Sequence, residues 1–69
     1  MTPDTIRTYR LLLGISTAQA GRLCGVSQRT FQAYESGFRR VPDDIAATIK
    51  MAVDEQRDYI IDLLDSTRT

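Results

Sequence analysis

Gln28, Arg29 and Gln32 lie close together in the stretch GVSQRTFQAYESGFRR, which spans residues 25–40. Each ends in a fork of hydrogen-bond donors, and the two glutamines also supply acceptors. Such forks match the edges of base pairs in the major groove of duplex DNA. That chemistry requires all three side chains to point the same way. At about 100° per residue, a helix over this stretch places Gln28, Gln32, Ser36, Arg29 and Ala33 on one side, with Phe31 and Tyr34 on the other. The aromatic pair then anchors the helix to a core while the polar side faces outward. Arg39 and Arg40 follow directly, as adjacent cations suited to a polyanion.

The elements that position these residues are marked by local signals. Thr2-Pro3-Asp4 joins a capping side chain, a proline tolerated at the first helical position and an acid in the first turn. It starts a helix that runs to about Leu13, with Ile6, Tyr9, Leu12 and Leu13 recurring at helical spacing and Gly14 as the stop. Ser16 or Thr17 caps a short second helix of roughly residues 17–24, which Gly25 ends. Gly25-Val26-Ser27 forms a tight turn with Val26 facing inward, and Ser27 caps the third helix, residues 28–36, which stops at Gly37. Ala20 and Gly21 permit a close helix crossing; a glycine inside a helix costs about 1 kcal/mol relative to alanine, so the space has a use. After a loop over residues 38–41, Pro42-Asp43-Asp44 starts a fourth helix. No alternating apolar run suggests a strand. The expected fold class is all-α, without internal repeats or a low-complexity linker.

The chain has 69 residues, one cysteine and no histidine. It reads as a single small domain over residues 1–69, whose core is marginal unless something adds to it. Cys24 cannot form an internal disulfide and reads as a small core hydrophobe. The residue types offer no transition-metal cluster and no cofactor site. Without histidine, a nucleophile beside a base or a glycine-rich phosphate loop, no catalytic residues are expected, so the chain does not read as an enzyme. No targeting segment and no membrane span is expected, which places the protein in the cytoplasm, away from membranes.

The net charge of zero hides a polarity. Residues 1–41 carry six arginines against Asp4 and Glu35, a balance of plus four; residues 42–69 carry three cations, Arg68 among them, against seven acids, a balance of minus four. The basic part is the expected DNA-binding part, and the acidic part stays away from a polyanion. In the acidic part Ile45, Ile49, Ala52, Gln56, Tyr59 and Leu63 repeat at helical spacing, flanked by Val53, Ile60 and Leu64. The periodicity allows one helix to about Ser66 or a break near Asp54-Glu55. In both cases Gln56, Tyr59, Ile60, Leu63 and Leu64 form more apolar surface than so small a core covers, and they read as a twofold homodimer interface.

Residues 15–37 resemble the helix-turn-helix of the Cro/C1-type (XRE) phage regulators, and the likeness extends over about residues 6–49. Its carriers are the Gly25-Val26-Ser27 turn, the Glu35-x-Gly37 that closes the third helix, and an Arg-x-x-Leu-like stretch around Arg10. The small size, Tyr34-Glu35-Ser36-Gly37 and Val41-Pro42-Asp43-Asp44-Ile45 also resemble the anti-CRISPR-associated regulators, which repress the operons that encode them. The resemblance implies a lambda-repressor-like domain of four to five helices with a C-terminal dimerisation helix. It implies base contacts by Gln28, Arg29 and Gln32, with Ala33 meeting a thymine methyl, and phosphate contacts by Thr17, Ser27, Ser36, Arg39 and Arg40. It also implies a structural ion pair between Arg10 and Glu35.

The sequence departs from the family pattern at two places. Where the family often begins helix 2 with a glutamine that supports the glutamine opening helix 3, this chain has Thr17, expected to be too short to reach Gln28. Leu11 and Leu13 occupy usually polar positions and are expected to pack under the C-terminal segment or a partner chain. The function expected from the whole is a homodimeric repressor on an inverted-repeat operator in double-stranded DNA, autoregulating its own phage or mobile-element operon. The alternative is an antitoxin or adaptor whose C-terminal helix binds a different protein.

Overall fold

A computed structural model describes residues 1–66. Arg68, counted above in the acidic part, lies outside the described residues. Among the described residues the fold is all-α, with four helices: α1 Pro3–Leu13, α2 Thr17–Cys24, α3 Gln28–Ser36 and α4 Asp43–Ser66.

Local chemistry accounts for the boundaries. The Thr2 hydroxyl accepts the Thr5 N–H at 3.2 Å at the start of α1. Ser16, rather than Thr17, caps α2: its hydroxyl accepts the Gln19 N–H at 3.1 Å, and the Gln19 side-chain carbonyl accepts the Ser16 N–H at 2.9 Å, a reciprocal capping box. Gly14, Gly25 and Gly37 end the first three helices with φ of 68°, 73° and 81°, a region that favours glycine.

The core consists of Ile6 from α1, Ala20 from α2, Phe31 and Tyr34 from α3, Val41 from the loop, and Ile45 and Ile49 from α4. The Phe31 and Tyr34 rings meet edge to face, with centroids 6.2 Å apart. Tyr9, Leu13, Ile15, Cys24, Val26 and Ala46 pack against this cluster. Burial pushes the Cys24 thiol up from its ordinary pKa, and the nearby Asp44 carboxylate adds to the shift.

The expectation for Leu11 and Leu13 is corrected in one respect. Leu11 and Leu13 do not form one face, because residues two apart in a helix point in roughly opposite directions. Leu13 packs on the core, whereas Leu11 is 61% exposed. Leu12, which recurs with Ile6 and Tyr9 at helical spacing, is exposed and lines a groove with Val53, Gln56, Arg57, Ile60 and Ile61. α1 ends there, just where α4 runs past it.

α4 is one uninterrupted helix of 24 residues, about 36 Å long, which decides between the two readings of the C-terminal part. Asp54 and Glu55 do not break it; both are exposed, and solvated carboxylate side chains are tolerated inside a helix. The molecule is elongated, 49 × 19 × 17 Å, because α4 outruns the core. Its first half buries Ile45 and Ile49; from residue 54 onward every described side chain is exposed.

Candidate nucleic-acid interface

Gly21 brings α2 and α3 together. A methyl group there would stand 2.8 Å from the Val26 carbonyl oxygen and 3.1 Å from the Ser27 carbonyl. The turn lies directly on the glycine, and the Val26 N–H donates to the Gly21 carbonyl at 2.8 Å. This contact explains why α2 retains a residue that weakens helices.

On the far side of α3, Gln28, Arg29 and Gln32 are exposed and Ala33 is half-buried, while Phe31, Tyr34 and Glu35 are buried. Gln28 is not left unsupported. Its side-chain N–H donates to the Thr17 hydroxyl at 3.0 Å, which corrects the expectation that Thr17 is too short to reach it. The glutamine supplies the length, and the close α2–α3 crossing supplies the proximity. The Gln28 carbonyl oxygen takes no part in this bond.

Glu35 holds the recognition-like face from behind. Arg10 Nε donates to Glu35 Oε2 at 2.7 Å and Arg10 Nη2 to Oε1 at 3.1 Å, a forked pair between α1 and α3. Arg10 Nη1 also donates to the Ile15 carbonyl at 3.1 Å, so one guanidinium ties α1, the α1–α2 loop and α3 together. With 17% and 8% of the two side chains exposed, the pair is largely withdrawn from water. Arg7, which entered above only as one of the six arginines in the charge balance, is a second cation on Glu35: Arg7 Nε lies 3.4 Å from Oε1 and Nη2 donates to the Glu35 backbone carbonyl. The available signal was its position three residues before Arg10, on the same side of α1.

The remaining polar residues surround α3. Thr17 is half-buried, and Ser27, Ser36, Arg39 and Arg40 are exposed. Ser27 accepts the Thr30 N–H as the cap and donates its own proton to the Thr30 hydroxyl at 3.0 Å. Ser36 donates to the Ala33 carbonyl at 3.1 Å. Both serine protons are thus engaged within α3, so binding an anion through them requires giving up an internal bond. The exposed guanidinium groups of Arg39 and Arg40, in the loop after α3, can meet an anion without that cost.

A family model described as a helix-turn-helix domain matches residues 4–52. The chain belongs to the helix-turn-helix domain family. No curated protein matches it. The match covers α1 to α3 and the buried part of α4, and it ends where α4 leaves the core. A helix-turn-helix domain supports a general DNA-binding, transcription-regulatory role for the chain. No helix among the described residues is long and apolar enough to cross a membrane.

Proposed function

We propose that this helix-turn-helix domain is a sequence-specific transcriptional repressor that binds an inverted-repeat operator as a homodimer. The observation that carries the reading is the exposed face of α3, where Gln28, Arg29 and Gln32 point outward from a helix clamped by Arg10 and Glu35. Rigid support behind a row of forked side chains is what base-edge recognition in a major groove needs. Gln28, Arg29 and Gln32 read base edges and Ala33 meets a thymine methyl. Arg39 and Arg40 hold phosphates, and the hydroxyl proton of Thr17 supplies another phosphate contact beside Gln28. Ser27 and Ser36 shape the ends of the helix and approach the backbone there.

The homodimer rests on the second half of α4. Tyr59, Ile60, Leu63 and Leu64 are 64, 47, 49 and 58% exposed and prolong the side of the helix that buries Ile45 and Ile49 in the core. A second copy covers this surface and places two recognition helices about one turn of DNA apart. Autoregulation of a phage or mobile-element operon, of the anti-CRISPR-associated kind, is supported by the likeness at residues 34–37 and 41–45; a cytoplasmic location goes with it. The exposed end of α4 also fits a second reading, an antitoxin or adaptor that binds a different protein there.

Selection from a random duplex library with purified protein tests the proposal. Recovery of an inverted repeat bound by two chains is the expected result. Failure to enrich any site, with a chain that stays monomeric, favours the second reading.

A further inference from the structure

The loop after α3 holds an aromatic ring in water. Phe38 is 90% exposed, more than any other large hydrophobic side chain among the described residues. Its backbone is nevertheless tied down. The Phe38 N–H donates to the Ser36 hydroxyl at 3.4 Å, Ser36 in turn donates to the Ala33 carbonyl at 3.1 Å, and the Arg39 N–H returns to that same carbonyl at 3.2 Å. Gly37 makes the turn at φ 81° and its N–H donates to the Tyr34 carbonyl. These bonds fold the loop back on the helix end and leave the ring in solvent, with Arg39 and Arg40, both exposed, next in the chain.

The length of α3 indicates what the ring meets. Nine residues reach about 13 Å, close to the roughly 12 Å width of a major groove. With the Gln28 end in the groove, the end bearing residues 36–40 stands over the flanking sugar–phosphate strand. Phosphates there suit Arg39 and Arg40, and the carbon face of the deoxyribose is the apolar surface beside them. Resting on the DNA-binding reading above, we propose that Phe38 is a DNA-contact residue that packs its ring on a backbone deoxyribose between the phosphates held by Arg39 and Arg40. Such a contact is insensitive to salt and to base sequence, unlike those of its arginine neighbours.

Binding of the wild-type chain and of Phe38→Ala, Phe38→Leu and Arg39→Ala to the selected duplex and to an unrelated duplex, at several salt concentrations, tests this. Phe38→Ala is expected to weaken both duplexes by about tenfold, the effect of exposing part of one aromatic side chain, with the salt slope unchanged. Phe38→Leu is expected to recover part of the loss. Because the chain has no tryptophan, Phe38→Trp adds a single reporter whose emission is expected to shift to the blue on adding duplex. Unchanged affinity for Phe38→Ala, or a tryptophan that stays fully exposed in the complex, overturns the proposal. A change in the oligomeric state of the protein without DNA would make Phe38 a protein contact and overturns it as well. If the wild-type chain binds no duplex, the DNA-binding reading fails and takes this one with it; wild-type binding beside an unaffected Phe38→Ala removes the ring contact alone.

Discussion

Gln28 and Thr17, the first residues of α3 and α2, are joined by a 3.0 Å hydrogen bond from the glutamine amide to the threonine hydroxyl. The bond restricts the rotamers of a long side chain at the position where a base edge is expected. Thr17→Val keeps the shape and removes the acceptor. Binding to the selected site should weaken by about 1 kcal/mol, and tolerance should widen at the base pair opposite Gln28, measured by competition with single-base variants. An unaltered base profile would mean that Gln28 is oriented without Thr17.

Arginines on the two parts of the surface should differ in what they change. Arg29→Ala is expected to cost about 1 to 3 kcal/mol and to relax the preference at one or two base pairs. Arg39→Ala and Arg40→Ala should weaken every duplex alike and lower the salt slope by about one each. Titrations at three salt concentrations on matched and unmatched duplexes separate the two classes.

Glu35 accepts from Arg10 and Arg7, and it is buried. Glu35→Ala leaves the largely enclosed Arg10 guanidinium without its carboxylate, at a cost on the order of 3 kcal/mol in unfolding free energy. Arg7→Ala should cost under about 1 kcal/mol, because Arg7 is half exposed and water replaces the lost contact. Urea denaturation of the two variants should show this order; equal losses would refute the clamp assigned to Arg10.

Gly21→Ala tests the crossing of α2 and α3. Alanine favours the helix by about 1 kcal/mol, yet its methyl meets the Val26 carbonyl oxygen at 2.8 Å, and that oxygen belongs to backbone that cannot rotate away. Net destabilisation of about 1 to 3 kcal/mol is expected, with loss of operator binding as the turn shifts. A more stable protein with full binding would show that the turn yields.

Ile60→Asp places a charge in the middle of the exposed apolar end of α4. Sedimentation should show monomers for the variant and dimers for the wild type at the same concentration, while circular dichroism keeps the helix content. Affinity for a full inverted repeat should fall far more than affinity for a half-site. A variant that remains dimeric would move the interface elsewhere.

Capping and stop residues made the first three helices legible in the sequence. Thr2, Ser16 and Ser27 start them and Gly14, Gly25 and Gly37 end them, because each satisfies backbone groups within a few residues of itself. The division of α3 into Phe31 and Tyr34 inside and Gln28, Arg29 and Gln32 outside was equally legible, since it depends only on the helical repeat. Other features depend on how the helices cross. Whether Thr17 reaches Gln28, whether Glu35 gathers one arginine or two, and whether Leu12 faces the core or a groove are set by distances between segments far apart in the chain. Periodicity gives the side of a helix on which a residue lies but not how far its neighbour extends. For that reason the apolar side of α4 looks continuous in the sequence. The small size of the chain already implied that the core leaves residues 56–64 uncovered; the tertiary structure decided that its edge lies before residue 54 and that one unbroken helix carries the chain past it.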